Sequence, residues 1–432
     1  MWSVWSPGSR LVLAGSPVRL LLSRDDGEDR TTIPSGLPAS VALSLDDDLQ
    51  DDALAVLDAH LDGLSTEPVS DSHALRGAVF AMNAVSGEIL ACAGRDSEGA
   101  AAPTACWEDH DLRPGSSFKP LLALAALESS DPTVRSMVNG VLPPGLQRAA
   151  LSGSLAGARL PVLPAGSRSD LPLRTRLRNF RGVATPKDRA LEGALRSSDN
   201  VWFGYLGLLM HEPLREGWLQ SGIADDARRE AAWPPHAIAR AAGFGMELDL
   251  GFDLSGYVGR VPADAPTSDA ALAARSVGQD QVRASPLGVA AILAAIATNG
   301  EAPRPRLDPH LPTTRVRLAT PAAAARVRAA LHEVVRAGTA SRAFATNPYR
   351  HRIFGKTGSS QRVDAKGLPR TDSWFAGVVL PPEGTAESPV VLVAVLPGAG
   401  LGGEHAARVV EGVSRALAAA RGWSPRVEAS RG

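Results

Sequence analysis

One segment of this 432-residue sequence combines a serine and a lysine at a spacing that suits nucleophilic catalysis. The segment reads R-P-G-S-S-F-K, ends at Lys119 and is followed by the apolar run LLALAALE. Pro114 and Gly115 predict a turn, so Ser116 would open a helix, where free N–H groups and the helix dipole favour a developing oxyanion. Lys119 would lie one turn along on the same face. A serine hydroxyl needs a base to become a nucleophile, and a lysine with a lowered pKa can be that base where arginine cannot.

Lysine is scarce in this chain, which makes its position in the segment informative. Only Lys119, Lys187, Lys356 and Lys366 occur among the 45 basic residues. A helix-capping serine followed by a surface lysine is the ordinary alternative for an isolated S-x-x-K. Because two of the four lysines fall in candidate motifs, coincidence becomes a weaker explanation.

A second candidate segment, Ser198-Asp199-Asn200, follows the helical pattern ALRS. Taken alone, these residues are most simply a cluster at a helix end, where Ser, Asp and Asn are favoured. In a catalytic reading, Ser198 would relay a proton to a leaving group. The amide of Asn200 would hold the peptide backbone of a substrate.

A third segment, F-G-K-T-G-S, ends a predicted strand. Lys356 would place positive charge beside the second segment and lower the pKa of a neighbouring lysine. Thr357 and Ser359 offer hydroxyls to a carboxylate, and Gly358 permits a ligand to approach the backbone closely. The backbone N–H groups of Ser116 and Ser359 could together form an oxyanion hole. A lone K-T-G, however, is a common turn sequence.

The elements that must position these motifs begin with a helix and a hairpin. The stretch SLDDDLQDDALAVLDAHL places Leu49, Ala53, Leu57 and Leu61 at helical spacing behind an acidic start. The stretch GAVFAMNAVSGEILACAG contains two short apolar runs joined at S-G, which predicts a β-hairpin.

The middle of the chain, about residues 116–340, is predicted to be a helical lobe, with an irregular excursion at 139–175. RIFGKTGSS, DSWFAGVVL and SPVVLVAVLPG predict three further strands, and HAARVVEGVSRALAAARG predicts a closing helix. The fold class is therefore α+β, with a five-stranded, mostly antiparallel sheet flanked by N- and C-terminal helices and a cleft between lobe and sheet. We interpret residues 1–40 as a linker or the remnant of an upstream domain, 41–425 as the domain, and 426–432 as a disordered tail.

Composition narrows the classes of function. A net charge of −1 provides no basic field for nucleic acid. Cys92 and Cys106 lack metal-ligand spacing, so neither a metal nor another cofactor is expected; they could pair in an oxidising compartment or remain thiols. No stretch reaches the ~18 apolar residues of a membrane span. The first residues lack the early positive charge of a signal peptide.

The combination of S-x-x-K, S-D-N and K-T-G is the signature of penicillin-binding proteins and class A β-lactamases, and the sequence resembles the penicillin-binding transpeptidase family. The resemblance spans about residues 41–420 and includes RPGSSFKP, LRNFRG, VGQDQVRASPLGVAAILAAIATNG, VVRAGTA and DSWFAGV. It implies that Ser116 attacks the D-Ala-D-Ala end of a peptidoglycan stem peptide, expels D-alanine and passes the acyl group to the amine of a second stem peptide. It also implies acylation by β-lactams and a glycan-polymerising synthase as a candidate partner. The family's location would be the periplasmic or extracytoplasmic face of the membrane, although we expect no anchor and no signal peptide in this chain.

Departures from the family pattern leave alternatives open. The interval between Ser116 and Ser198 is longer than usual, and the excess falls in the 139–175 excursion. A β-lactamase is disfavoured because the interval from Ser198 to Lys356 is long for that compact fold and no convincing E-x-x-L-N segment supplies a deacylating glutamate. A carboxypeptidase, which accepts water instead of an amine, stays open. So does a penicillin-binding sensor or scaffold that does not turn over.

Overall fold

The computed structural model describes residues 11–13, 16–18, 43–64, 75–161, 170–185, 188–211, 233–251, 254–262, 268–364 and 367–424. The helices in these ranges are α1 Asp47–Asp62, α2 Lys119–Leu127, α3 Pro132–Val138, α4 Pro144–Ser152, α5 Leu191–Ser197, α6 Asn200–Leu209, α7 Pro234–Ala242, α8 Asp269–Arg275, α9 Pro286–Ala297, α10 Pro321–Ala337 and α11 Ala406–Ala420. The strands are β1 Leu11–Leu13, β2 Ser16–Val18, β3 Leu75–Asn83, β4 Ile89–Asp96, β5 Arg159–Pro161, β6 Asp170–Pro172, β7 Glu247–Gly251, β8 Leu254–Tyr257, β9 Gly259–Arg260, β10 Arg283–Ala284, β11 Glu301–Pro303, β12 Arg315–Arg317, β13 Ile353–Val363, β14 Pro369–Val379 and β15 Val390–Leu396. Within these ranges, no helix is both long and apolar enough to cross a membrane.

The main sheet has five strands in the order β13-β14-β15-β3-β4, and each neighbouring pair is antiparallel. This confirms the predicted fold class. All seven residues of the strand Val390–Leu396 are buried. Since successive side chains of a strand point to opposite faces, both faces of the sheet are covered at this strand. Helices α1 and α11 pack against each other and against the sheet, while α9 joins the sheet to the helical lobe.

The first helix forms where the apolar spacing predicts it. Asp46 caps its N-terminus by accepting a hydrogen bond from the backbone N–H of Leu49. The buried residues are Leu49, Ala53, Leu57 and Leu61, so the predicted face is confirmed. Burying a leucine side chain stabilises a fold by roughly 1.5–3 kcal/mol, which makes packing rather than helix propensity the main reason for this element.

The segment predicted to be an irregular excursion is regular in part, so that prediction is wrong for much of its length. Helix α4 begins at Pro144, where a proline costs no hydrogen bond because the first helical N–H has no intrahelical partner. It ends at Gly153, which has φ +62°. Strands β5 and β6 pair antiparallel beyond it. The Pro and Gly residues mark the ends of elements here rather than their absence.

The two ends of the chain were predicted to lie outside the domain. Apart from the short antiparallel hairpin formed by β1 and β2, residues 1–40 lie outside the described ranges. The predicted tail at 426–432 also lies outside them.

The two cysteines, whose state the sequence left open, form a disulfide with a Cα–Cα distance of 5.9 Å. Cys92 lies in β4 and Cys106 lies in the segment that leads from the sheet to the turn containing Ser116. Both residues are buried. The disulfide therefore ties the start of the helical lobe to the sheet.

Replacing Cys92 and Cys106 together by alanine is expected to lower the free energy of unfolding by about 3 kcal/mol, because a disulfide that closes a loop of ~15 residues restricts the unfolded chain by about that amount. Urea denaturation of the oxidised protein and of the double variant measures the difference. Reduction of the wild type should reproduce the loss. Equal midpoints for the oxidised wild type and the double variant would contradict this prediction.

Candidate active site

Ser116 lies in a short 3-10 turn, Gly115–Phe118, that leads directly into α2. Gly115 has φ +52°, and a Cβ at this position would lie 2.7 Å from the carbonyl oxygen of Ser359. Glycine therefore lets the turn approach the outer edge of β13 more closely than any other residue could. The side chain of Ser116 is partly exposed, whereas Lys119, the first residue of α2, is fully buried.

Three hydrogen bonds hold this turn in place. The guanidinium of Arg113 donates to the backbone carbonyls of Asp280, at 3.0 Å, and Gln361, at 2.9 Å. The N–H of Gly115 donates to the carbonyl of Gly278 at 2.9 Å. The turn is thus fixed both to the loop before β10 and to the strand β13.

The segment Ser198-Asp199-Asn200 connects α5 to α6 and lies against the amine of Lys119. Lys119 Nζ donates to the carbonyl oxygen of Ser198 at 2.8 Å and to Asn200 Oδ1 at 2.7 Å. Ser198 has φ +58°, a left-handed conformation that ends α5 and turns the chain. Asp199 then caps α6 by accepting from the N–H of Trp202 at 2.8 Å.

Lys356 reaches the same segment from β13. Its Nζ donates to Ser198 Oγ at 2.8 Å and to the carbonyl oxygen of Thr357 at 3.0 Å. Thr357 Oγ1 is a third, more distant acceptor at 3.5 Å. Lys119 Nζ lies 3.4 Å from the same Ser198 hydroxyl. The structure therefore brings both lysine amines within hydrogen-bonding distance of one serine hydroxyl.

Burial lowers the pKa of both lysines. It lowers the pKa of Lys119 to about 7, and the nearby carboxylate of Asp199 opposes part of that shift. Burial also lowers the pKa of Lys356 well below its usual value, with repulsion from Lys119 as a further cause. Of the two causes expected from the sequence for a lowered pKa of Lys119, burial and the charge of Lys356, burial is the main one.

The two amines have similar sets of acceptors. Each has two acceptors within 3.0 Å and a third at 3.4 Å for Lys119 or 3.5 Å for Lys356. The hydrogen bonds therefore do not distinguish the two amines. Position does, because Lys119 lies three residues after Ser116, where the turn leads into α2, whereas Lys356 lies on β13.

The remaining residues of the third motif contact protein groups on both sides of β13. The hydroxyls of Thr357 and Thr339 lie 2.6 Å apart, and Ser359 Oγ accepts from the N–H of Gly402 at 3.1 Å. A Cβ at Gly358 would lie 2.7 Å from the carbonyl oxygen of Pro114. The sequence suggested that this glycine allows a ligand to approach the backbone. In the structure, the turn that carries the first motif occupies the space beside Gly358.

The backbone of Ser359 faces that turn. β13 is an edge strand of the sheet, and the carbonyl oxygen of Ser359 accepts from Gln279 Nε2 at 3.4 Å across the outer edge. In an antiparallel strand, the N–H and C=O of one residue point to the same side. The N–H of Ser359 therefore points toward the edge along which the turn with Ser116 lies, which is the direction an oxyanion hole requires.

The sequence of residues 182–413 matches the family of the penicillin-binding protein transpeptidase domain. The chain belongs to this family. The matched range contains the second and third motifs, and Ser116 and Lys119 precede it. No curated protein sequence gives a significant match.

Solved structures of penicillin-binding proteins share the fold of this transpeptidase-family chain. A peptidoglycan glycosyltransferase from Burkholderia ambifaria has a TM-score of 0.60 at 20% identity, covering 89% of this chain and 99% of that one. The transpeptidase domain of Burkholderia pseudomallei penicillin-binding protein 3 has a TM-score of 0.60 at 18% identity, covering 89% and 98%. Penicillin-binding protein A of Mycobacterium tuberculosis, solved as a ceftriaxone acyl-enzyme complex, has a TM-score of 0.56 at 21% identity, covering 87% and 79%.

In this penicillin-binding transpeptidase domain, residues outside the three motifs complete the site, and the sequence analysis did not single them out. Asn179 Oδ1 accepts from the N–H groups of Asn200, at 2.7 Å, and Val201, at 2.9 Å, and so caps α6. Thr339 contacts the hydroxyl of Thr357. The quoted segments LRNFRG and VVRAGTA contain Asn179 and Thr339, but spacing alone gives no reason to select these two residues within them.

Proposed function

We propose that the protein is a serine D,D-transpeptidase that cross-links peptidoglycan stem peptides through an acyl-enzyme on Ser116. The observation that carries the proposal is the series of hydrogen bonds that joins two fully buried lysines, Lys119 and Lys356, through the half-buried Ser198. It gives one hydroxyl two amine neighbours with lowered pKa values, directly beyond the turn of the nucleophile. Perturbed pKa values of this kind concentrate at catalytic sites.

In acylation, Lys119 Nζ takes the proton of the Ser116 hydroxyl as the serine oxygen attacks the carbonyl carbon of the penultimate D-alanine. The oxyanion that forms receives hydrogen bonds from the N–H groups of Ser116 and Ser359. When the intermediate collapses, the C–N bond breaks. The terminal D-alanine leaves as an amine, and its proton comes from Lys119 by way of the Ser198 hydroxyl.

Transfer completes the cycle. The amine of a second stem peptide attacks the ester carbon and gives its proton to Lys119. The C–O bond to Ser116 then breaks, and Lys119 returns that proton to the Ser116 oxygen, which restores the free enzyme. Lys356 holds Ser198 in position by the 2.8 Å hydrogen bond. A glycan-polymerising synthase would supply the strands that carry these peptides. The disulfide supports an oxidising, extracytoplasmic location.

A β-lactam would acylate Ser116 by the same step, with the strained amide bond in place of the peptide bond. The leaving amine stays attached to the opened ring, so the acyl-enzyme persists until water attacks. The ceftriaxone acyl-enzyme of the Mycobacterium tuberculosis protein supports this proposal by fold alone.

A transfer assay separates the candidate activities. The full chain is incubated with a labelled peptide ending in D-Ala-D-Ala, with and without an amine acceptor, and the products are identified by mass spectrometry. A transpeptidase yields the cross-linked product when the acceptor is present. A carboxypeptidase yields only the hydrolysed peptide, a β-lactamase turns over penicillin rapidly, and a sensor keeps a stable penicillin adduct without processing the peptide.

Acylation is expected to rise with pH and to level off above about pH 7, because the reactive form of Lys119 is its neutral amine and burial lowers its pKa to about 7. Below that pH, the rate constant should fall about tenfold per pH unit. Stopped-flow measurement of acylation by benzylpenicillin between pH 5 and pH 9 checks the profile. A rate constant that stays unchanged down to pH 5 would exclude Lys119 as the base.

Thr357→Val is expected to lower acylation by benzylpenicillin about ten- to hundredfold, because it removes a hydroxyl from a charge-assisted hydrogen bond to the ligand's carboxylate, worth roughly 1.5–3 kcal/mol. The same substitution should lower the acylation rate much less for a penicillin analogue whose carboxylate is amidated. Thr339→Val removes the hydrogen bond between the hydroxyls of Thr339 and Thr357 but leaves the Thr357 hydroxyl in place. It therefore controls for the effect of that bond on the stability of the protein. Equal losses for acid and amide would show that Thr357 is structural.

A further inference from the structure

An antiparallel arm leads from the lobe to the active site. It consists of residues 153–161 and 170–179, and it contains the pair β5 and β6. Beyond that pair the ladder continues toward the site, with the N–H of Leu155 donating to the carbonyl of Leu177 at 2.8 Å and the N–H of Asn179 donating to Gly153 at 2.9 Å. The second strand of the arm is therefore held extended up to Asn179.

The side chains of that strand alternate between the interior and solvent. Leu173 and Thr175 are buried, while Arg174, Arg176 and Arg178 are exposed. Alternate residues of a strand share one face and lie roughly 6.6–6.8 Å apart. We call these three arginines the arginine strip. They carry three guanidinium groups on one face, over a distance of roughly 13 Å.

The side chains of the strip form no ion pair with the part of the chain that the structure describes, although the buried carboxylate of Asp269 accepts hydrogen bonds from the backbone N–H groups of Arg174 and Thr175. Of the ion pairs in those residues, none involves Arg174, Arg176 or Arg178. Elsewhere many arginines are paired, such as Arg95 with Asp58. In a chain with a net charge of −1, the strip is a local concentration of positive charge suited to an anionic ligand.

The strip ends at the active site. The carbonyl oxygen of Arg178 accepts from Asn200 Nδ2 at 3.1 Å, and the adjoining Asn179 caps the helix that begins at Asn200. Arg181 continues the positive charge beyond this point and stacks on the exposed ring of Phe180 at 5.0 Å. A chain lying along the strip would therefore meet the site on the side formed by Asn200.

We propose that the arginine strip binds the acidic part of the peptide substrate, in the residues that precede the scissile bond. Carboxylates two residues apart in an extended peptide match the spacing of Arg174, Arg176 and Arg178. The inference rests on the proposed function for the identity of the substrate. In this proposal, the segment between the first two motifs recognises the substrate and takes no part in the catalytic steps.

The test measures peptide binding by the full chain, with Ser116→Ala introduced so that the probe is not consumed. The probe is a fluorescent peptide ending in D-Ala-D-Ala with two upstream glutamates; its matched control carries glutamines instead. The strip variant combines Arg174→Gln, Arg176→Gln and Arg178→Gln. A charge-matched control combines Arg240→Gln, Arg350→Gln and Arg408→Gln, which are exposed arginines on α7, on the turn before β13 and on α11.

Measured by fluorescence anisotropy, the affinity of the strip variant for the acidic peptide is expected to be about tenfold lower. This loss corresponds to about 1.4 kcal/mol of binding free energy. Three exposed charge pairs can contribute that much. The charge-matched control and the glutamine peptide should show little change. Raising the salt concentration should reduce the difference, since exposed charges are screened over about 8–10 Å. Unchanged binding of the acidic peptide by the strip variant would overturn the proposal, and so would absence of binding by the parent protein.

Acylation by benzylpenicillin, measured in proteins that retain Ser116, shows whether the proposal for the arginine strip or the proposed function has failed. Penicillin is too short to follow the strip, so the strip variant should be acylated at the wild-type rate. If the wild type is not acylated, the proposed function fails independently of the strip. If poly(glycerol phosphate) or anionic vesicles bind with the same arginine dependence and the acidic peptide does not, the ligand is another polyanion and the proposal is wrong.

Discussion

Replacing Lys119 by arginine is expected to slow acylation by benzylpenicillin at least about 10²- to 10⁴-fold, the usual effect of losing a general base. Arginine keeps the positive charge but does not release a proton in proteins. Lys119 can release one because it is fully buried, with a pKa lowered to about 7. Stopped-flow fluorescence with a labelled penicillin measures the rate constant.

Two control measurements on Lys119→Arg test its folding and the role of the lost proton acceptor. Thermal unfolding shows whether the larger guanidinium disturbs the buried site. Raising the pH to 9 should not restore acylation in Lys119→Arg, because the guanidinium stays protonated. A variant that folds and acylates at nearly the wild-type rate would show that Lys119 is not the base, and Ser198 would become the candidate.

Replacing Ser198 by alanine is expected to slow the release of D-alanine from a peptide ending in D-Ala-D-Ala by about 10²-fold or more. The hydroxyl is the only group within hydrogen-bonding distance of both Lys119 Nζ and Lys356 Nζ among the described side chains. Without it, Lys119 loses its relay to the leaving amine, and Lys356 Nζ loses its closest acceptor. The rate of D-alanine release measures the effect.

A neighbouring serine supplies the matched control for that substitution. The hydroxyl of Ser197 donates to the carbonyl of Gly193 within α5 and contacts neither lysine. Ser197→Ala should therefore leave the rate of D-alanine release close to the wild-type value. Similar losses for Ser197→Ala and Ser198→Ala would point to a general disturbance of the turn rather than to proton transfer.

The elements of the fold could be predicted where the pattern is local. The apolar spacing from Leu49 to Leu61 depends only on helical geometry, and the continuous apolar run of β15 depends only on burial. The order of the strands could not be predicted, because the pairing of β15 with β3 joins residues about 300 positions apart. Prolines also misled the sequence analysis at α4, since Pro143 and Pro144 suggested irregular chain and instead precede and open a helix.

The sequence indicates candidate catalytic residues more readily than the residues that support them. The residue types and spacing at Ser116 and Lys119 predict a nucleophile and a base, and these roles stay predictions. Thr339 and Gly402 contribute through contacts with β13 that only the folded chain creates. The burial that lowers the pKa of Lys119 also arises only when the chain folds.

The most direct test of this account is intact-protein mass spectrometry after exposure to benzylpenicillin, followed by peptide mapping of the adduct. We predict one added penicilloyl group per chain, located on Ser116, and no adduct in Ser116→Ala. The adduct should persist when free penicillin is removed, because water is a poor substitute for the amine acceptor. An unmodified wild type, or an adduct on any other residue, would contradict the assignment of Ser116 as the nucleophile.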